Sequence, residues 1–309
     1  MSSSDIPSSV WNIFPNEHKA RMRYRRFRSV FLRLLENPLT LIGMVIVVAY
    51  ILIAILAPLI EPAAGADPYQ MPRDSSAVRT PPLTDGYVLG ADDRGGDILY
   101  GIIWGSRLTI AISLSIVIST TIVGCLVGGI AGFVGGWVDE IIMRFVDALI
   151  AIPALVWAIA IVTALGPSIT HVIIALSTML WGTYARIMRG EVIHVKNEEY
   201  VQAARVVGDS NTQVFLKEVL PNAIPPIFVQ STLYFGKVVL IAASLSFIGL
   251  ATPGIVEWGV LVSEGQQGLI SGRWWTSFFP GFAIFLWAFG WNVIGDGLRD
   301  VLDPRSRTD

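Results

Sequence analysis

Residues 39–60 read LTLIGMVIVVAYILIAILAPLI, an apolar stretch that contains no charged side chain. A helix rises ~1.5 Å per residue, so about twenty apolar residues cross a hydrocarbon core of ~30 Å. Similar stretches recur along the chain, and hydropathy windows of about nineteen residues predict six spans. These are Leu39–Ile60, Trp104–Phe133, Ile141–Leu165, Ile169–Met188, Asn222–Leu250 and Thr276–Ile294. The sequence therefore predicts an all-α integral membrane protein with about six transmembrane helices.

The composition agrees with a membrane protein. Of the 309 residues, 53% are hydrophobic and 15% are charged, and the mean hydropathy is +0.61, whereas a soluble domain carries roughly 25% charged residues. The net charge of −2 gives no reason to expect a nucleic-acid partner. The single cysteine, Cys125, can form no internal disulfide.

Lysine and arginine near the ends of the spans are distributed unequally. Roughly sixteen lie on the side of both termini and roughly five on the opposite side. Because basic residues resist translocation, the termini and segment 189–221 are predicted to be cytoplasmic. The chain then divides into a cytoplasmic segment 1–36, a first span 37–60, an extracytoplasmic loop 61–101, a five-helix core 102–300 and a cytoplasmic tail 301–309.

The N-terminal segment and the first span each allow two interpretations. Arginines mixed with aromatic residues before residue 32 predict a helix lying in the cytoplasmic membrane interface, with a solvated basic tail as the alternative. The small residues at 63–66 would permit cleavage of a signal peptide. The leader and its apolar run are longer than a signal peptide requires, so we expect a signal anchor.

Segment 197–221 contains two helical patterns joined at Gly208. Asn197 is predicted to cap the first helix, which Gly208 ends, and Ser210 with Gln213 forms a capping box for the next. The first helix would carry an apolar strip of Tyr200, Val201, Ala204 and Val207. Spacing alone leaves open whether a partner protein or the chain's own surface covers this strip.

The same segment resembles the E-A-A-x-x-x-G-x(9)-I-x-L-P signature of ABC importer permeases. Ala203, Ala204, Gly208, Leu220 and Pro221 match in register, whereas Gln202 and Glu218 replace the glutamate and the isoleucine. Residues 90–97, GADDRGGD, and 292–304, NVIGDGLRDVLDP, resemble motifs of the dipeptide, oligopeptide and nickel class, as do 135–139 and 247–250. The resemblance runs from about residue 35 to the C-terminus.

This resemblance implies a type I importer permease in which residues 197–216 contain a coupling helix that docks on a separate ATPase. The implied coupling residues are Glu199, Tyr200, Val201, Ala203, Ala204, Arg205, Val207 and Gly208. The implied partners are a second homologous permease, two cytoplasmic ATPase subunits that bind ATP and Mg²⁺, and an extracytoplasmic binding protein. The chain itself would hold no cofactor and would lie in the inner membrane of a bacterium or archaeon.

Three ionisable groups within the predicted spans are candidates for function, because burying charge in a membrane is costly. Arg144 and Asp147 are spaced to pair on one helix face, and Asp147 is also a candidate for the translocation path. Lys237 lies near mid-membrane without an acidic neighbour on its helix. It is predicted to face either the path or an acidic group of another subunit.

Two further motifs are predicted to serve packing and capping. Glycine recurs at every fourth position from Gly124 to Gly136, which predicts close helix contact. The carboxylates of Asp92, Asp93 and Asp97 could suggest a cation site, but the spacing of a calcium loop is missing. We expect them to cap the second span. Gly295–Asp296–Gly297 predicts a break at the end of the last span.

The sequence contains no G-x-x-x-x-G-K-[ST] phosphate loop and none of the hydrolase motifs H-E-x-x-H or G-x-S-x-G. Energy for transport must then come from a partner or from a gradient. The alternative function is a secondary transporter or channel that acts alone. Such proteins usually carry inverted repeats and buried carboxylates.

Overall fold

A computed structural model describes residues 32–63 and 65–302. Within these ranges the regular structure is helical and there is no β-strand, so the all-α prediction is confirmed. The predictions for the N-terminal segment before residue 32 and for tail residues 303–309 lie outside the described ranges. The main helices are α1 Pro38–Ile60, α2 Ile98–Val134, α3 Gly136–Ile150, α4 Ala154–Leu165, α5 Ile169–Lys196, α6 Glu199–Val207, α7 Pro225–Phe247, α8 Trp258–Ile270 and α9 Trp275–Leu302.

Four helices, α1, α2, α7 and α9, are long and apolar enough to span a membrane, and α3 with α4 makes a fifth candidate. The remaining predicted span, Ile169–Met188, lies on α5, which has 28 residues but does not meet the same test of apolarity. Its position explains this, because Leu176, Tyr184 and Met188 are fully buried within the bundle. Polar side chains of α5 also face neighbouring helices, as Ser177 does with Ser119 of α2 at 2.8 Å, a contact that membrane helices commonly use. The count of six spans stays a prediction.

The predicted span Ile141–Leu165 is divided into two helices. Helix α3 ends at Ile150, α4 begins at Ala154, and their axes differ by 82°. Pro153 lies at the break. Proline has no backbone N–H, and its ring disfavours a helical conformation at the residue before it.

The predicted break at 295–297 is wrong, since α9 continues to Leu302. Gly295 packs against Leu233 of α7, and Gly297 packs against Thr40 of α1. These glycines therefore allow neighbouring helices to approach closely and do not end α9. The structure also adds α8, which lies between the predicted spans Asn222–Leu250 and Thr276–Ile294.

The bundle has two apolar cores. One surrounds α5 and includes side chains from α2, α4 and α7. The other lies near loop 61–97 and contains Trp104, Trp258 and Trp287. We call the side of the bundle formed by loop 61–97 and α8 the loop end, and the side that carries α6 the α6 end.

The glycine ridge of α2 packs on α5, as the spacing predicts. A methyl group at Gly128 would overlap the Ala185 backbone, and one at Gly132 would lie 2.8 Å from the Arg189 carbonyl oxygen. Gly136 is not part of this ridge, because α2 ends at Val134 and Gly135 has φ +71°. Close contact between backbones therefore joins α2 to α5.

Candidate functional site

Helix α6 begins one residue later than a cap at Asn197 would place it. The Asn197 side chain donates to the Ile193 carbonyl (2.8 Å) and so closes α5, while Glu198 occupies the N-cap position of α6. The predicted cap at Asn197 is wrong, because the preceding helix uses this side chain. Glu199 lies in the first turn of α6, where a negative charge interacts favourably with the positive end of the helix dipole.

Gly208 ends α6 in a left-handed conformation, with φ +102°. The Gly208 N–H donates to the Arg205 carbonyl, and the Asp209 N–H donates to the Ala204 carbonyl, each at 3.1 Å. This pair of bonds is a Schellman motif, which satisfies the last carbonyls of a helix. A side chain at Gly208 would meet no other atom within 4 Å, so its backbone conformation is what requires glycine.

The predicted apolar strip of α6 is not one continuous exposed surface, because its residues point in two directions. Val201 and Ala204 are buried and Tyr200 is half-buried against the core around α5, so the chain's own surface covers this part. Val206 and Val207 are each 87% exposed. The reason is that the inward side of α6 completes the core formed by Val192, Val195, Val214 and Val219.

The exposed side of α6 is a mixed surface at the α6 end of the bundle. Glu199, Gln202, Ala203 and Arg205 are exposed together with the two valines and Gly208. Val206, which lies at an unspecified position of the signature, is absent from the predicted coupling set. These two adjacent valines form an apolar tip at the end of a charged helix, and no other part of the described chain covers it.

The segment after Gly208 confirms the predicted capping box. The Gln213 N–H donates to the Ser210 hydroxyl, and the Gln213 side chain accepts from the Ser210 N–H. A π-helical turn, Val214–Val219, then follows, which the sequence did not indicate. Phe215 in this turn contacts Phe133 at the end of α2, with ring centroids 4.9 Å apart.

Glu218 lies in this turn, at the position where the family signature has isoleucine. Only 6% of the surface of Glu218 is exposed, and desolvation by burial raises the pKa of its carboxyl group. The backbone around it is fixed by Asn222, whose side chain donates to the Glu218 carbonyl at 2.6 Å. The substitution therefore keeps the buried position but replaces an apolar side chain with a titratable one.

Ion pairs fasten α3 to α5 near the α6 end. Arg189 of α5 donates two hydrogen bonds of 2.6 Å to the Asp139 carboxylate, a bidentate arrangement that is stronger than a single contact. Lys196 donates to the Gly132 carbonyl near the end of α2 (2.6 Å). The frame that carries α6 is thus linked to both α2 and α3.

The predicted pair of Arg144 with Asp147 is wrong. Arg144 pairs with Glu140 of its own helix, whereas Asp147 pairs with Arg186 of α5. Asp147 therefore joins two helices, and its side chain remains largely exposed. A partner on a neighbouring helix could not be read from spacing along one helix.

Lys237 is exposed on α7, and its ammonium group lies 5.1 Å from the centre of the Tyr234 ring. Cation–π contacts of this kind contribute about 0.5–2 kcal/mol. The described residues show no ion pair of Lys237, and no contact joins it to Asp147. A charge exposed within a spanning helix must be covered by water or by another protein.

The three aspartates before α2 serve capping and ion pairing. Asp97 caps α2 by accepting from the Leu99 N–H (2.8 Å), so the predicted capping is confirmed for Asp97 and is wrong for Asp92 and Asp93. Asp92 accepts from the Arg94 and Gly96 N–H groups, each at 2.7 Å. Asp93 pairs with Arg79 and Arg273. Arginines and amides thus occupy these carboxylates, an arrangement unlike the oxygen ligands of a calcium site.

These features define a class of protein: a polytopic membrane component of a transport system, with a short helix exposed at one end and a charge exposed on a span. Residues 124–308 match the family described as binding-protein-dependent transport system inner membrane component. Residues 25–82 match the N-terminal transmembrane domain of oligopeptide transport permease C. The chain belongs to this family of ABC importer permeases and is a multi-pass protein of the inner membrane.

Relatives support this membership over nearly the whole chain. It is 38% identical over 283 residues to the dipeptide transport system permease protein DppC of Alkalihalophilus pseudofirmus, covering 91% of each protein. It is 40% identical to DppC of Escherichia coli, covering 87% of this chain and 90% of that protein. The oligopeptide transport system permease protein OppC of Bacillus subtilis is 36% identical, with 91% and 90% covered.

A solved structure shows the same fold at low sequence identity. The chain superimposes on a chain of the MetNI methionine ABC transporter with a TM-score of 0.55 and 17% identity. The match covers 67% of this chain and 98% of that chain. The predicted type I importer permease fold is confirmed.

Proposed function

We propose that this chain forms half of the translocation path of an ATP-driven importer for dipeptides or oligopeptides. The names of its relatives, DppC and OppC, support this class of solute. The supporting observation within the chain is the geometry of α6. One side of this helix is anchored in the core through Val201 and Ala204, and the other side presents Val206 and Val207.

This geometry suits a helix that transmits movement. A force applied to the exposed tip reaches the core through the buried side of α6, because close-packed interiors transmit displacement. The π-helical turn, Val214–Val219, and α7 follow directly in the chain. A docked partner could therefore move α7 relative to α5.

The partners and cofactors follow from this role. Two ATPase subunits would dock at the α6 end, one on this chain and one on a second homologous permease, and would bind ATP and Mg²⁺. The chain has no phosphate-loop sequence, so we infer that it has no ATPase site of its own. A binding protein would deliver the solute at the loop end.

The orientation follows from the same assignment. ATP is available in the cytoplasm, so the α6 end would be cytoplasmic and the loop end extracytoplasmic. Both termini would then be cytoplasmic, in agreement with the excess of basic residues on that side. The second permease would complete the path against the face of α7.

Lys237 is our candidate for a residue that lines the path, and Asp147 is the second. Lys237 is exposed on a spanning helix, where lipid would strongly disfavour its charge. Asp147 joins α3 to α5 through Arg186, so its contribution would be to keep the wall of the path in place. Peptide carboxylates are suitable partners for a lysine in such a path.

The test of this proposal is a change to the exposed tip of α6. Val207→Asp places a charge in the proposed ATPase contact without touching the core. The tagged full-length chain would be purified from its own membranes in mild detergent, and the co-purifying ATPase measured by its ATP hydrolysis. We expect Val207→Asp to lose most of this ATPase, because a buried unpaired charge opposes association.

Leu83→Asp is the matched control. Leu83 is 85% exposed, nearly the same as Val207, but lies at the loop end. Its φ of +60° is compatible with aspartate. This variant should retain the ATPase. Full retention by Val207→Asp, or equal loss in both variants, would contradict the proposed contact.

A further inference from the structure

Glu257 lies in the connection between α7 and α8, where it caps the start of α8. Only 3% of the surface of Glu257 is exposed. One carboxyl oxygen, Oε2, accepts from the Val260 N–H of α8 and from the Ser246 hydroxyl of α7, each at 3.0 Å. The other, Oε1, lies 3.4 Å from the Thr109 hydroxyl of α2. One buried carboxyl therefore joins three helices at the loop end.

The residues beside Glu257 hold the start of α8 tightly. Trp258 is fully buried, and its indole N–H donates to the Ile102 carbonyl of α2 at 3.0 Å. Gly259 lies so close to α7 that an added methyl group would be 2.6 Å from the Ala243 Cα atom. The start of α8 is thus wedged between α2 and α7, where movement of one helix must disturb the others.

Within residues 32–63 and 65–302, Glu257 forms no ion pair. The charged side chains of the adjoining helices have other partners. Arg107 lies over the Trp104 ring and Lys237 over the Tyr234 ring. Glu264 forms ion pairs with Arg73 and Arg94. From α1 the nearest titratable group is the Tyr50 phenol, whose ring packs on Trp258, and α9 presents the indole of Trp287 there. The groups that face the carboxyl are therefore uncharged.

A buried carboxylate without a cation is strongly disfavoured, so such a group keeps its proton. Burial accordingly raises the pKa of the Glu257 carboxyl. The hydrogen bonds agree with a neutral acid. With Oε2 accepting from the Val260 N–H and the Ser246 hydroxyl, the proton lies on Oε1, where the Thr109 hydroxyl oxygen at 3.4 Å can accept from it.

We propose that Glu257 is a positioning residue for transport, a proton-bearing carboxyl that holds the start of α8 against α2 and α7. This inference rests on the proposed function. A movement that separates α7 from α2 at the loop end must break the hydrogen bonds of Glu257 and expose its carboxyl to water. The exposed carboxyl would ionise at neutral pH.

This mechanism fixes the direction of a pH effect. The wedged arrangement binds the proton more tightly than an opened one, because its carboxyl has the higher pKa. The stabilisation of the wedge is complete at a pH below the ordinary carboxyl range. It is lost as the pH rises through the raised pKa of the wedged state.

The test measures hydrogen exchange at the Val260 and Leu261 amides in the full-length transporter purified from its own membranes. After correction for the intrinsic exchange rate, we expect wild-type protection to decrease as the pH rises. Glu257→Gln should keep its protection at every pH, since the amide reproduces the neutral acid. Glu257→Leu should lose protection about tenfold or more even at low pH, because the Val260 N–H loses its acceptor.

ATP hydrolysis by the same preparations is the functional readout. At acidic pH, where the wild-type carboxyl and the amide are both neutral, Glu257→Gln should hydrolyse ATP like the wild type, and Glu257→Leu about tenfold more slowly. If Glu257→Leu fails to fold, Thr109→Val with Ser246→Ala removes the two side-chain hydrogen-bond partners of Glu257 instead and should also weaken protection. Protection in Glu257→Gln as low as in Glu257→Leu, or pH-independent protection in the wild type, would overturn the inference. A wild-type preparation without ATPase would count against the proposed function, while the exchange measurement would still test Glu257.

Discussion

Val207 is 87% exposed at the tip of α6, whereas Val201, six residues earlier on the same helix, is fully buried. The two valines have the same side chain, so their roles are set by position on the helix alone. Val201 fixes the helix to the core around α5, and Val207 is available for a partner. The predicted coupling set contained both residues without separating these roles.

Two residue predictions failed for different reasons. Asn197 was predicted to cap α6, but it lies between two helix ends and its side chain closes α5 instead. Asp147 was predicted to pair with Arg144 of its own helix, but it pairs with Arg186 of α5. Spacing along one helix reports local neighbours only. Gly208 was predicted correctly because its left-handed conformation is a local requirement of a helix end.

Lys237 offers a test of the proposed path at the scale of one residue. We expect Lys237→Met to lower ATP-dependent uptake of a radiolabelled dipeptide about tenfold, the effect of losing ~1.4 kcal/mol of interaction. ATPase subunits should still co-purify with this variant. The measurement is initial uptake in proteoliposomes that contain the complete transporter.

Lys237→Arg is the control, because it keeps the positive charge and the contact with Tyr234. Its uptake should stay near that of the wild type. Normal uptake by Lys237→Met would remove Lys237 from the path. Loss of the ATPase partner in that variant would instead assign Lys237 to assembly.

Among the elements, α2 and α5 are joined most closely, through the glycine ridge. The sequence predicted that α2 packs closely on another helix, because a repeat of four residues places glycines on one side of a helix. Helix α8 was not predicted, because its 13 residues are fewer than the window of about nineteen that detects a span. The break at Pro153 was masked by apolar residues on both sides, which satisfied the hydropathy window.

Gly128→Ala tests the packing of these two elements. The added methyl group would overlap the Ala185 backbone, so we expect a loss of about 1–3 kcal/mol of stability. The measurement is the thermal unfolding midpoint of the purified transporter in detergent. A lower midpoint with reduced transport is the expected result.

Gly190→Ala provides a matched control on α5. Gly190 also lies within a helix, but an added methyl group there meets no atom within 4 Å. Replacing an unpacked helical glycine with alanine stabilises by about 0.5–1 kcal/mol. Equal midpoints for both variants would show that Gly128 is not in close contact with α5.

The whole molecule has two distinct ends. Arginine–carboxylate pairs connect the loop to α8 and to the start of α9, whereas α6 and the Arg189–Asp139 pair lie at the opposite end. Charge counts along the sequence predicted which end faces the cytoplasm. They could not indicate how α6 is attached, because its buried side is completed by residues from several segments.

Orientation can be tested with a pair of cysteines in a Cys125→Ala background. Leu83→Cys and Val207→Cys have similar exposure, 85% and 87% for the native side chains, but lie at opposite ends. A membrane-impermeant maleimide added to intact cells should label Leu83→Cys strongly. It should label Val207→Cys only after the membrane is opened. The reverse pattern would invert the proposed topology.

The central claim is that this permease is driven by separate ATPases acting through α6. Solute uptake in proteoliposomes, with and without enclosed ATP, tests it most directly. The complete transporter should accumulate a radiolabelled dipeptide only with ATP and Mg²⁺, and the purified chain alone should accumulate none. Uptake by the chain alone, driven by an ion or solute gradient without ATP, would contradict the account and indicate a secondary transporter.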